Sequence, residues 1–238
     1  MAKKILIFGA TGSVGSSLTK LVKESSMDAH LIGKNEDEIS NLKDQTGFSY
    51  SIADVTDQNF IETIDKDLDG LEISGIAYCV GSIDLKPLNL VSKKDYLKSF
   101  ELNLFPIVEI IKKYKDNLKK NKSSVVLFST VAVKQGFPNH SIISPVKASL
   151  EGLTISLASE LAPHVRINCI APSLSNSKMA SKMLKNPKIS EAIAKQHPLK
   201  RLGEGLDSAA LAKFLLSNES SWITGQIIGV DGGRSNVG

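Results

Sequence analysis

Cysteine is nearly absent from this chain: Cys79 and Cys169 are the only two in 238 residues, each inside an apolar stretch that reads as a strand. That count excludes a disulfide framework, and no ligand set with metal spacing accompanies the two thiols, so no metal is expected. Both read as small buried hydrophobes. Aromatics are scarce too, at 5% against 42% hydrophobic residues, so a core has to rest on Ile, Leu, Val and Ala. No apolar run approaches the roughly 18 residues of a membrane span. The stretch Ile5-Leu6-Ile7-Phe8 is too short for the apolar segment of a signal peptide and leads into glycines, not a cleavage site. A soluble, cytoplasmic protein is expected, with no membrane partner. An excess of one charge sign is also lacking. Basic residues number 29 and acidic 25, a net +4 that suits a small anionic ligand but is too dispersed for nucleic acid. The densest basic run, 112–122, reads as a solvated helix end. With no internal repeat and no low-complexity linker, residues 1–238 form one domain.

What is present is a rhythm. Short apolar runs at 4–8, 29–32, 49–52, 75–79, 124–128, 166–170 and 226–230 alternate with longer amphipathic segments. That is the βαβα pattern of an α/β, Rossmann-type, doubly wound parallel sheet with helices on both faces. Val14, Leu18, Leu21 and Val22 recur at helical spacing after the first run. Asp54 to Asp57 open a helix carrying Phe60, Ile61, Ile64 and Leu68, and one long helical region is expected over 93–119. Another spans 144–161, with Val146, Leu150, Leu153, Leu157 and Leu161 on one face. The irregular stretch 172–205 holds Pro187 and Pro198 and short helices. Lying beyond a strand's carboxyl end, it reads as a substrate loop.

The sharpest signal is Gly9-Ala10-Thr11-Gly12-Ser13-Val14-Gly15, which follows the first strand and opens the first helix. Glycines there permit a tight turn and close backbone approach to a pyrophosphate, and the helix N-terminus supplies unpaired N–H groups. The end of the second strand selects the dinucleotide. An NAD site usually places an acid there, about 20 residues on. This chain has Gly33-Lys34-Asn35. Lys34 can pair with a 2′-phosphate that an acid would repel, so NADP is expected over NAD, although a plain surface lysine accounts for Lys34 as well.

Further motifs fall in a familiar order. They are Asp54-Val55, Tyr78-Cys79-Val80-Gly81, Glu101-Leu102-Asn103-Leu104, Phe128-Ser129-Thr130-Val131-Ala132, Lys147-Ala148-Ser149, 166–172, 197–204 and 229–233. Together they resemble, over nearly the whole chain, the short-chain dehydrogenase/reductase family in the branch of the 3-oxoacyl-carrier-protein reductases. The resemblance implies that Gly9, Thr11, Gly12, Ser13, Val14, Gly15, Lys34, Asn35, Asp54, Val55, Cys79, Val80, Gly81, Lys147, Pro172 and Ser173 contact the cofactor. It also implies a homodimer or homotetramer. Departures accompany it: Phe8 precedes the first glycine, Ser13 takes the central glycine's place, Cys79 replaces a strand-bracing asparagine, and Ser173 follows the loop proline in place of glycine.

The largest departure is catalytic. The family combines Asn, Ser, Tyr and Lys, the tyrosine being the general acid four residues before the lysine. Here four before Lys147 is Ile143, and thirteen before that is Thr130, so the set reads Asn103, Thr130, Ile143, Lys147. Thr130 keeps a hydroxyl, with Ser129 as an adjacent competitor, but Ile143 has no proton to give. His140, seven before Lys147, is a candidate donor or a loop histidine. Two functions follow. One is an NADP(H)-dependent reductase with a modified proton donor and an unknown small-molecule substrate. The other is a dinucleotide-binding protein without turnover, acting as a redox sensor, partner subunit or scaffold.

Overall fold

The computed structural model describes residues 3–68 and 70–237. Its strands are β1 Lys4–Phe8, β2 Asp28–Gly33, β3 Ser49–Ile52, β4 Ile73–Tyr78, β5 Ser124–Phe128, β6 Arg166–Pro172, β7 Ser175–Asn176, β8 Gly203–Glu204 and β9 Ile227–Val230. Seven form one parallel sheet in the order β3-β2-β1-β4-β5-β6-β9, and β7 pairs with β8 apart from it. The helices are α1 Ser13–Glu24, α2 Glu36–Thr46, α3 Phe60–Asp67, α4 Lys93–Asn103, α5 Phe105–Asn121, α6 Ile143–Leu161, α7 Ser181–Leu184, α8 Pro187–Lys195 and α9 Gly205–Leu216.

Side chains alternate across the sheet. Leu6 and Phe8 of β1 pack with Ile64, Ile110, Leu118 and Leu150, from the layer of α3, α5 and α6. Ile5 and Ile7 pack with Leu18, Val22, Ile39 and Ala209, from the layer of α1, α2 and α9. Both faces are covered, so the strands read as continuous apolar runs rather than alternating ones. Val146, Leu150 and Leu161 of α6 are no more than 2% exposed. Burying each such side chain stabilises by roughly 1.5–3 kcal/mol. No described helix is long and apolar enough to cross a membrane.

Four local expectations are corrected. The single helix over 93–119 is two, broken at Leu104 (φ −113°, ψ −55°). Pro106 has no N–H for the Leu102 carbonyl, and the Tyr78 hydroxyl donates to that carbonyl instead, at 2.7 Å. The helix after Asp54 starts only at Phe60, because Asp54 Oδ1 accepts from both Thr56 N (3.0 Å) and Thr56 Oγ1 (2.8 Å) and holds a turn. Strand β4 stops at Tyr78, so Cys79 lies just past it. The basic run near the end of α5 is not merely solvated: Lys113 pairs with Asp65 (2.6 Å) and Lys120 with Glu72 (2.8 Å).

Candidate active site

Because β1 connects towards β2 while β4 lies on its other side, a crevice opens at the carboxyl ends of β1 and β4. Gly9 follows β1 at φ +70°, and a Cβ there would lie 3.0 Å from the Cys79 carbonyl carbon. A Cβ on Gly15 would stand 2.2 Å from the Gly9 oxygen. Both positions therefore demand glycine. Gly12 caps α1 without any side-chain hydrogen bond, leaving first-turn N–H groups free for an anion. The cleft this turn borders measures about 900 Å³, and Thr11, Gly12, Ser13 and Val14 line it. Ser13, in the central glycine's place, directs its Oγ to the Asn176 carbonyl at 3.4 Å, tying the turn to the loop beyond β6.

Cys79, Val80, Gly81, Thr130, His140, Ile143, Lys147, Pro172 and Ser173 line the same cleft. Lys147 is 7% exposed and its Nζ donates to the Phe128 carbonyl at 2.9 Å. Burial pushes its ammonium down to about 8, with no carboxylate in direct contact to offset the desolvation. Gly81 sits against it: a Cβ there would be 3.0 Å from Lys147 Nζ and 3.2 Å from Asn103 Oδ1. Asn103 is fully buried. Its Nδ2 donates to Ser99 O (2.8 Å) and Ser82 Oγ (3.2 Å), while its Oδ1 has no partner. A buried carbonyl oxygen without a donor is costly, and Asn103 itself lies behind Gly81, outside the residues that line the cleft.

The two hydroxyls differ in their partners. Ser129 Oγ donates to Glu151 Oε1 at 2.6 Å, whereas Thr130 Oγ1 only accepts, from Ala132 N at 3.3 Å. Thr130 thus brings the uncommitted hydroxyl proton. Ile143, the first residue of α6, is 5% exposed. Among the described residues no tyrosine lines the cleft. Tyr78, Tyr96 and Tyr114 donate to Leu102 O, Ser141 O and Asp65 Oδ1. His140 Nδ1 lies 2.8 Å from the Pro138 carbonyl, which can only accept, so the proton is on Nδ1 and Nε2 remains uncommitted.

Lys34, Asn35, Asp54 and Val55 fall outside this lining, at its β2–β3 edge. Lys34 is 74% exposed and 3.5 Å from Asp54 Oδ2. Asn35 caps α2, its side chain accepting from Glu38 N at 2.9 Å. The Val55 side chain is in the core beside Phe60. Ser173 Oγ donates to His197 Nε2 (2.8 Å), because His197 Nδ1 is spent on the Ile193 carbonyl (2.9 Å). Sequence reasoning missed three features. Asp84 accepts from Ser82 (2.5 Å) and Ser99 (2.7 Å) beside Asn103. Lys178 in the loop pairs with Glu38 on α2 at 2.6 Å. Arg234, just after the Gly232-Gly233 pair, lies over the Phe137 ring at 4.8 Å within the cleft.

Residues 9–235 match a family model described as Enoyl-(Acyl carrier protein) reductase. The 3-oxoacyl-[acyl-carrier-protein] reductase FabG of Rickettsia typhi is 30% identical, over 99% of this chain and 98% of its own length. A chloroplastic tropinone reductase homolog of Arabidopsis thaliana is also 30% identical, over 97% of this chain and 74% of its own. Among solved structures, Cj0485 dehydrogenase superposes with a TM-score of 0.91 at 26% identity, covering 100% of this chain and 95% of that one. ElxO with NADP bound gives 0.89 at 24% identity over 98% and 99%, a likeness of fold.

Proposed function

This chain belongs to the short-chain dehydrogenase/reductase family of oxidoreductases, and on that premise we propose that it binds NADP(H) in the β1/β4 crevice and reduces an activated double bond or an unusual carbonyl without a tyrosine donor. The observation that carries the proposal is the buried Lys147 beside Gly81 and the orphaned Asn103 Oδ1, a polar cradle beside an apolar Ile143. The dinucleotide, when bound, supplies the hydride. The chain's own residues hold it: the α1 N-terminus takes the pyrophosphate, Asp54 the adenine, and Lys147 a hydroxyl of the nicotinamide ribose. Lys34 takes the 2′-phosphate. Its exposed contact with Asp54 is worth only about 0–1 kcal/mol, so it can swing to a better anion. ElxO, a structural neighbour, carries NADP in its own site.

Thr130 donates its free hydroxyl proton towards a substrate oxygen, and His140, when Nε2 also carries a proton, or a water supplies the one that the missing tyrosine cannot. Ile143 makes that corner drier and better suited to an alkene or flat ring than to an alcohol. The second reading, a binding protein without turnover, draws on the same Ile143: a buried aliphatic group stands where the proton donor is needed. Assembly as a homodimer or homotetramer and a cytoplasmic location complete the proposal.

Calorimetric titration with NADPH and NADH, followed by a steady-state screen of enones and ketones, tests it. One charged contact to the 2′-phosphate predicts NADPH binding tighter by about tenfold or more, a gap lost in Lys34→Ala. Equal affinities in the wild type, or a preference for NADH, refute the NADP assignment. Tight NADPH binding with no turnover across the screen selects the second reading.

A further inference from the structure

We propose that Arg234 anchors an anionic group of the substrate, a carboxylate, so that this cleft takes an apolar acid in preference to its neutral counterpart. The inference rests on reading the cleft as the substrate site. Much of its wall is apolar, with Val80, Ile83, Phe137, Ile143, Met179 and Met183 among the lining side chains. Three cationic side chains reach that wall, and two are accounted for. Lys147 lies at the end of the cleft assigned above to the dinucleotide, and Lys178 is paired with Glu38.

Arg234 has no acidic partner among the described residues. Its Nη2 donates to the neutral Gln196 Oε1 at 2.7 Å, and its guanidinium lies 4.8 Å from the centre of the Phe137 ring. Asp231, the acid nearest in sequence, is spent on Gly233 N, Ser235 N and Ser235 Oγ. Partial burial lowers the Arg234 pKa from its ordinary value, yet guanidinium stays charged at any physiological pH. A fixed, partly desolvated, planar fork with unspent N–H groups is what recognises a carboxylate in two-point fashion. Phe137 and Gln196 pre-set its plane, so little ordering is lost on binding. A single positive charge balances a carboxylate. A phosphate dianion would leave net negative charge in an apolar cleft, which is costly. His140, whose ring centre is 5.3 Å from that of Phe137, places the uncommitted Nε2 on the same aromatic support.

The test is calorimetric binding of octanoate, octanamide and octyl phosphate to the full chain, with and without NADPH. Octanoate binds about tenfold or more tightly than octanamide in the wild type. The gap disappears in Arg234→Gln and partly returns in Arg234→Lys. Equal binding of acid and amide by the wild type overturns the proposal, as does a gap that survives Arg234→Gln or octanoate that does not bind. Octyl phosphate binding more tightly than octanoate overturns the carboxylate assignment. The wild-type comparison alone decides the matter if Arg234→Gln does not fold. NADPH titration of the same samples reads the cofactor proposal separately, because the acid-against-amide difference is measured without cofactor as well.

Discussion

Substituting Ile143→Tyr asks whether one missing proton is all that separates this cleft from ordinary carbonyl reduction. Ile143 stands four residues before Lys147, one helical turn away on the same face of α6, and both line the cleft. Carbonyl reduction builds negative charge on the substrate oxygen. Thr130 can donate one hydrogen bond to it, but Ile143 itself has no proton to give up there. Loss of a positioned general acid costs roughly 10²–10⁴-fold in rate, about 3–5 kcal/mol of barrier. A phenol at 143 would meet Lys147, which at about 8 is still mostly charged at neutral pH and lowers the phenol's pKa towards the working range. Tyrosine is larger than isoleucine, and an overpacked core would lose roughly 1–3 kcal/mol. Here the cleft of about 900 Å³ receives the ring, so the loss falls at the low end. The assay is NADPH oxidation with a panel of ketones and 3-oxoacyl thioesters, run on the wild type, Ile143→Tyr and Ile143→Tyr/Lys147→Met. The expected outcome is a gain of about 10²-fold or more in the single variant and its loss in the double. Wild-type turnover of these substrates at the single variant's rate would refute the reasoning, since another donor would then already be in place.

Lys178→Ala removes the ion pair that ties the loop beyond β6 to α2. Both partners are substantially exposed, so thermal stability should hold within about 1 kcal/mol, while NADPH affinity falls several-fold by titration as the loop loosens over the cleft. An unchanged affinity would mean that the pair is only a surface contact. His30, clasped between Ser49 Oγ (2.9 Å) and Ser51 Oγ (2.8 Å), is held at about 4, chiefly by burial. The unfolded chain therefore takes up this proton first as pH falls. The contribution is complete above about 6.5 and is lost between 6.5 and 4, up to about 3 kcal/mol, as denaturant midpoints at pH 7 and 4.5 will read; a His30 variant that keeps the same slope would disprove the assignment. Lys147→Met should raise stability at pH 7. The depression from 10.5 to about 8 is a burial penalty of up to about 3 kcal/mol, full below pH 8 and relieved as pH rises towards 10.5. The lost bond to Phe128 O offsets part of it, and the same variant should lose NADPH affinity. A destabilised Lys147→Met would show that the lysine is structural.

Strands at 4–8, 49–52 and 124–128 were legible to the residue because a sheet covered on both faces needs uninterrupted apolar runs with sharp ends. The glycine turn was legible for a stricter reason: Gly9 at positive φ and Gly15 against a backbone oxygen admit no other residue. The break at Leu104 was not. Proline is compatible with a first helical turn, so the apolar periodicity runs across Pro106 without a gap. At the site, spacing from Lys147 pointed to Ile143, Thr130 and His140, and all three line the cleft. It could not find Glu38–Lys178, 140 residues apart, or Arg234 over Phe137, because such pairings exist only once the chain is folded.

The polar groups around Ile143 divide into two kinds, and the division argues for a site completed by ligands. Ser129 is bonded to Glu151, Ser144 to the Ala132 carbonyl, and Tyr96 to the Ser141 carbonyl. Those contacts hold α4, α6 and the β5 end in register and leave nothing over for chemistry. The uncommitted groups are the Thr130 proton, His140 Nε2, the Asn103 Oδ1 and the Lys147 ammonium, which has only a carbonyl to bond. A buried charge without a counter-ion and a buried oxygen without a donor both lower stability, and apolar replacement would relieve each. Position 143 is aliphatic, whereas 103 and 147 carry these costly groups. A lysine so placed beside an isoleucine fits a cleft that binds a polar ligand at Lys147 while keeping the corner at 143 dry.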